Sequence, residues 1–196
     1  MSTLCIFGDS ITYGAVDEER GGWAQRLRML RDTSLTDAET YVLGVCGDTS
    51  TTLLQRFSAE ATARSPQQIF IAIGINDTKY VSSPEKPMVS LSQCTENIRT
   101  LLDTANFIAA SVKIIGLTMV DESLTQPTTD EDHHYFANSV IQIYNSALAA
   151  IATERKVPFI DVFSTLTKSD LFDGLHPNSE GHRKLFEKMT KELLSD

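Results

Sequence analysis

The sequence predicts an α/β fold, a three-layer α/β/α sandwich on a parallel sheet of about five strands. Two observations predict it. Five short runs rich in β-branched and aromatic residues recur along the chain, each apolar almost throughout instead of alternating. That continuity marks strands buried on both faces of a parallel sheet. Helical periodicities fill the stretches between the runs, and strand alternating with helix places helices on both faces.

The first run is Thr3–Gly8 (TLCIFG), after which Trp23, Leu27 and Leu30 fall at i, i+4 and i+7 on one helical stripe. The second is Thr40–Val45 (TYVLGV), followed by a helical stretch at Leu53–Ala63. The third, Gln68–Gly74 (QIFIAIG), precedes a helix at Leu91–Ala109. The fourth, Val112–Thr118 (VKIIGLT), precedes a stripe formed by Phe136, Val140, Ile143, Tyr144, Ala147 and Ile151. The fifth, Val157–Val162 (VPFIDV), leads to a last helix starting near Asn178 or Ser179, with His182, Leu185, Phe186, Met189 and Leu193 on one side. No repeat, low-complexity tract or linker interrupts this order, so residues 1–196 read as one domain.

Hydrophobic residues make up 41% of the chain, enough for a full core, and the formal net charge is −9 with no long Lys/Arg run. That balance argues against a nucleic-acid partner, whose binding rests on phosphate neutralisation, and against docking on an anionic membrane. No segment approaches the ~20 apolar residues of a membrane span. Between Met1 and Gly8 the one unbroken apolar run is Leu4–Phe7, too short for a secretory leader, and cytoplasmic residence is expected. Cys5, Cys46 and Cys94 are odd in number and show no CxxC spacing, as in a reduced compartment. Cys5 and Cys46 lie in apolar runs and read as core residues. No cofactor or metal is called for. His133-His134 beside Asp130 and Asp132 is a poor metal set, because adjacent side chains at a helix start diverge.

Sites of such sheets form at the carboxyl ends of the strands. The first strand ends at Gly8-Asp9-Ser10, the second at Gly44–Thr49 (GVCGDT) and the third at Gly74-Ile75-Asn76-Asp77. Ser10 alone reads as a turn residue or a helix cap. A serine nucleophile needs a base, and the base needs a group that fixes its tautomer. Asp173-Gly-Leu-His176, closed by Pro177, can supply both, and by itself also reads as a solvated turn. Gly47 offers a backbone N–H that a ligand can approach, and Asn76 offers an amide donor, for the oxyanion of acyl transfer. Each alone is a turn former; together with Ser10, Asp173 and His176 they fill every role of one mechanism. Asp9 and Asp77 flank these positions and are expected to tie the loops together. Trp23 reads as a helix anchor and His182 as a packed core residue.

Four segments together resemble the SGNH hydrolases, also called GDSL-type esterases and lipases. FGDSITYG is similar to the first block of that family, GVCGDTS to the second, GINDT to the third and DGLHPNSEGH to the last. The resemblance implies a flavodoxin-like sandwich, with Ser10 as nucleophile and His176 and Asp173 as base and acid. It implies an oxyanion hole of Ser10, Gly47 and Asn76. It implies hydrolysis of a small-molecule ester through an acyl-enzyme, with activity falling on the acid side as the imidazole takes up a proton. Where the family often carries Asn five residues before the glycine, this chain has Val42, which reads as loss of a structural hydrogen bond. Thioester hydrolysis or acyl transfer would use the same residues. A flavodoxin-like binding module without catalysis would use the same loops but has no use for the Asp173/His176 pair. Residues 77–89 and 121–132 are polar, Pro-containing loops expected to rim the site. Neither offers an apolar lid, which points to short acyl groups such as acetyl. The five acidic residues of the second loop would disfavour an anionic substrate if they faced the site, and otherwise form a solvated surface.

Overall fold

A computed structural model describes residues 2–34, 37–81, 86–109, 111–128 and 133–194, the side chains of residues 193 and 194 excepted. Asp130, Asp132 and the side chain of Leu193 therefore lie outside the described residues. The elements follow the expected alternation. In chain order they are β1 (Ser2–Gly8), α1 (Ser10–Tyr13), α2 (Gly22–Ser34), β2 (Ala38–Gly44), α3 (Ser50–Arg64) and β3 (Gln68–Ala72). The second half holds α4 (Leu91–Ile108), β4 (Ser111–Ile115), α5 (Asn138–Arg155), β5 (Phe159–Ile160) and α6 (Ser179–Leu194).

The five strands form one parallel sheet in the order β2-β1-β3-β4-β5. The chain steps from β1 to one side, then returns to the other side of β1 to lay down β3. The sheet order thus reverses between β1 and β3, where ligands of open α/β sheets bind at the carboxyl ends. The register brings those ends level: Gly8 faces Gly44 on one side and Ala72 on the other. Helix α2 packs against α1 and α6, while α3, α4 and α5 pack in sequence. The buried apolar side chains form one contiguous cluster that includes Trp23, which is 2% exposed.

Gly8 is where the chain turns out of the sheet. A Cβ there would stand 2.2 Å from Thr12 Oγ1 and 2.5 Å from the Ala72 carbonyl, so the one-turn helix α1 can fold back against β1 only if residue 8 lacks a side chain.

Three expectations need correction. The apolar runs after β3, β4 and β5 outlast their ladders. Ile73 and Leu117 are buried, yet the backbone there has already left the sheet to build loops. Leu30 and Ile143 are exposed rather than on the buried stripes. The buried face of α5 is Ile141, Tyr144, Leu148, Ile151 and Ala152, and Phe136 is buried before that helix begins. Cys46 is exposed, because β2 ends at Gly44 and residues 45–48 turn, whereas Cys5 and Cys94 are buried; all three are free thiols. No described helix is long and apolar enough to cross a membrane, and no described cluster of His, Cys, Asp or Glu has the makings of a metal site.

His182 fastens α6 to α2. Its Nδ1 accepts from the Trp23 backbone N–H at 3.2 Å, and the residue is fully buried. Burial disfavours the charged ring and, against the pull of the Asp17 carboxylate, holds its pKa down at about 4 from 6.5. Between those values the unfolded chain binds more protons than the folded one, so this residue costs stability as pH falls through that window. Relative to His182→Gln, the protein is expected to lose about 3 kcal/mol of unfolding free energy between pH 7 and pH 4. Denaturant titrations of both proteins across that range test it, and a pH-independent difference would refute it.

Candidate active site

Ser10, Gly47, Asn76, Asp173 and His176 all line one open hollow of about 310 Å³ at the carboxyl end of the sheet. Each arrives there for a local reason. Ser10 is the first residue of α1, whose N-cap Asp9 accepts from Ile11 N at 2.9 Å. The Ser10 N–H sits at a helix start, where no intrahelical acceptor exists for it. Gly47 is the third residue of a turn closed by Asp48 N donating to the Val45 carbonyl at 3.1 Å. Its φ of +82° is the left-handed value that a type II turn requires at this position, which favours glycine.

Asn76 is 5% exposed and donates one amide hydrogen to the Asp48 carbonyl at 2.9 Å. A carboxamide carries two donors, so one remains for the hollow. The neighbouring Asp77 accepts from Ser50 N at 2.8 Å and from the Ser50 hydroxyl, joining the Asn76 loop to the start of α3. Asn97 extends that join, donating to Ser50 Oγ at 3.0 Å and to Thr51 Oγ1 at 2.9 Å.

His176 comes from the loop before α6. Asp173 closes that loop on itself: Oδ1 accepts from Leu175 N at 3.0 Å and from His176 N at 2.8 Å, while Oδ2 meets His176 Nδ1 at 2.7 Å. Asp121 N donates to the Gly174 carbonyl at 2.8 Å and pins the loop to the chain that follows β4. His176 Nε2 then lies 2.9 Å from Ser10 Oγ, across 166 positions of sequence. An ionised carboxylate can only accept, so Nδ1 carries the ring proton and Nε2 turns its lone pair to the hydroxyl. Burial pushes the Asp173 carboxyl up, but the hydrogen bonds from the His176 ring and backbone, with that of Leu175, outweigh it and hold the pKa at about 2. Asp9 moves the other way. Burial raises it to about 7, against the hydrogen bond from Ile11, with Asp77 and Asp48 adding like charge.

All five sequence-derived site residues therefore meet in one place. Trp23 and His182 are core residues, and Asp9 and Asp77 fasten loops, as expected. Sequence reasoning missed Arg56. Its guanidinium donates to Asp48 Oδ2 at 2.8 Å, to the Leu43 carbonyl at 2.9 Å and to the Gly8 carbonyl at 3.2 Å. It clamps the ends of β1 and β2 to the turn that carries Gly47. The signal lay in the fold, not in a motif: the Gly8 carbonyl already accepts from Val45 N at 3.0 Å, and only the packing of α3 brings a second donor to it.

Residues 6–184 match the model of the GDSL-like lipase/acylhydrolase family. The chain belongs to that family. Among individual proteins, this GDSL-family chain is 27% identical to an isoamyl acetate-hydrolyzing esterase of Saccharomyces cerevisiae, over 63% of the chain and 55% of that protein. It thus spans about half the length of the curated relative it matches. Its fold is that of an acetylxylan esterase from Geobacillus stearothermophilus, with a TM-score of 0.77 at 20% identity over 97% of this chain and 93% of that one. It is equally similar to an alpha/beta hydrolase enzyme from the metagenome of Lake Arreo, Spain, with a TM-score of 0.76 at 18% identity, covering 97% and 94%.

Proposed function

We propose that this GDSL-family chain hydrolyses carboxylic esters of short acyl groups through a serine acyl-enzyme. The observation that carries the reading is the continuous chain Asp173 Oδ2–His176 Nδ1–His176 Nε2–Ser10 Oγ, with links of 2.7 and 2.9 Å. Ser10 Oγ attacks the ester carbonyl carbon as His176 Nε2 takes its proton. The carbonyl electrons become an oxyanion, held by the N–H groups of Ser10 and Gly47 and the free amide hydrogen of Asn76. Collapse breaks the bond to the leaving alkoxide, which takes the proton from Nε2. Water then attacks the acyl-Ser10 carbonyl, with Nε2 as its base, and frees the acid. Asp173 stays ionised and stabilises the imidazolium that forms twice per cycle.

A flavodoxin-like binding module would find no use for this hydrogen-bonded chain. The names of two similar proteins, an isoamyl acetate-hydrolyzing esterase and an acetylxylan esterase, both denote acetyl esters, in keeping with a short acyl group. A phosphate triester such as p-nitrophenyl diethyl phosphate tests the nucleophile directly. Stoichiometric release of p-nitrophenolate is expected, with the diethylphosphoryl group found on the peptide that contains Ser10. Persisting ester hydrolysis with that peptide unlabelled would overturn the assignment.

A further inference from the structure

The connection from β3 to α4 and the connection from β4 to α5 are joined to each other next to the hollow. Tyr80 and Tyr135 form an antiparallel bridge: Tyr80 N donates to the Tyr135 carbonyl at 3.1 Å and Tyr135 N to the Tyr80 carbonyl at 2.8 Å. Their rings stack with centroids 5.5 Å apart and 18° between planes. Within the connection that carries Tyr135, Thr128 N donates to the His134 carbonyl at 2.7 Å. In extended pairing, successive side chains point to opposite faces. With Tyr80 and Tyr135 on one face, Lys79, His134 and Phe136 belong to the other. These three side chains line the hollow, together with Ser10 and His176.

Lys79 is half-buried there and makes no ion pair among the described residues. The other charged side chain lining the hollow, Asp173, is turned to His176 Nδ1 at 2.7 Å, across the imidazole from the Nε2 that faces Ser10. The acidic loop does not answer Lys79 with its described carboxylates. Asp121 pairs with Lys168 at 2.7 Å, and Glu122 accepts from Asn138 N at 2.6 Å. In a chain of net charge −9, a lysine with no ion partner among the described residues, in the wall of the hollow that Ser10 and His176 also line, gives that wall local positive charge.

We propose that Lys79 is a specificity residue that selects esters carrying an anionic group, such as a carboxylate, close to the scissile bond. His134 and Phe136 flank that group, and the tyrosine bridge holds all three in place. This rests on the ester-hydrolase reading and names a substrate class for the same site. An ammonium gives a carboxylate a charge-assisted hydrogen bond that a neutral isostere does not receive.

Two pairs of esters test it: 4-acetoxybenzoate against 4-acetoxybenzamide, with the charge on the alcohol side, and phenyl hemiglutarate against phenyl pentanoate, with the charge on the acyl side. In at least one pair the native protein is expected to favour the anionic ester in kcat/KM by about tenfold, the size of one charge-assisted hydrogen bond. Lys79→Met is expected to abolish that ratio and Lys79→Arg to restore most of it, and the native ratio should fall as salt is raised. Ratios unchanged by Lys79→Met in both pairs, in proteins that hydrolyse the neutral esters, would overturn the role of Lys79 and leave the ester reading standing. Failure of the native protein to hydrolyse any of the four esters would overturn both.

Discussion

Ser10→Ala is expected to lower kcat on p-nitrophenyl acetate by roughly 10⁴–10⁶-fold, the scale of removing a serine nucleophile from an acyl-transfer site. The loss should be chemical rather than structural. The turn that presents Ser10 is closed by the Asp9 carboxylate on Ile11 N and by the Ser10 carbonyl accepting from Gly14 N and Ala15 N at 3.0 Å each. None of these bonds uses the hydroxyl. Among the described residues, Ser10 Oγ is hydrogen-bonded to His176 Nε2 alone. Removing an oxygen that serves no scaffold should leave the unfolding free energy within about 1 kcal/mol of the native value. What activity survives reflects binding and the oxyanion donors, which do not depend on the nucleophile. Initial rates corrected for spontaneous hydrolysis, with a thermal melt of the same sample, decide the matter. A variant that keeps a tenth of the native rate would end the case for Ser10 as nucleophile.

Much of this site was legible in the sequence, because three of its groups are local consequences of where strands end. Ser10 follows β1, Gly47 sits in the turn after β2 and Asn76 follows β3, and parallel pairing with Gly8 level with Gly44 and Ala72 forces those ends together. Asp173 and His176 needed a short loop of the right composition, which the Gly and Pro between and after them already indicated. Less legible was anything set by packing between elements. Ile143 is apolar and one residue from the buried Tyr144, and only the placement of α5 leaves it in solvent. Strand lengths were overread because burial continues past the ladder, and an apolar run cannot tell a paired buried residue from an unpaired one. Arg56 and the Tyr80–Tyr135 bridge escaped notice because their partners lie on other elements. No periodicity within a helix or a loop reports which carbonyl, or which ring, stands opposite.

Asp173→Asn is expected to cost about 10⁴-fold in kcat while removing one oxygen and one charge, a loss of the size seen when the orienting acid of such a triad becomes an amide. The geometry gives the reason. Oδ1 of Asp173 accepts from two backbone N–H groups, those of Leu175 and His176. An asparagine keeps those bonds by placing its own carbonyl oxygen there, which turns its NH₂ toward His176 Nδ1. Nδ1 must then accept, so the ring proton moves to Nε2 and points at Ser10 Oγ. A protonated Nε2 cannot take the proton of the hydroxyl, and the imidazolium, if formed, would face a dipole where it had faced a charge. On the proposed mechanism Ser10, His176 and Asp173 act as one unit, so the same substitution made on top of Ser10→Ala should cost far less than in the native background. The carboxyl also bears on stability. Its folded pKa of about 2 lies below the ordinary 3.8, so its contribution is present above that ordinary value and is lost as pH falls through about 2. At neutral pH the variant should therefore be somewhat less stable as well as slow, and the two effects separate on titration. Acid removes the stability difference, whereas the rate deficit at saturating ester stays wherever the native enzyme works. Equal losses in both backgrounds would mean that Asp173 acts on something other than the His176–Ser10 pair.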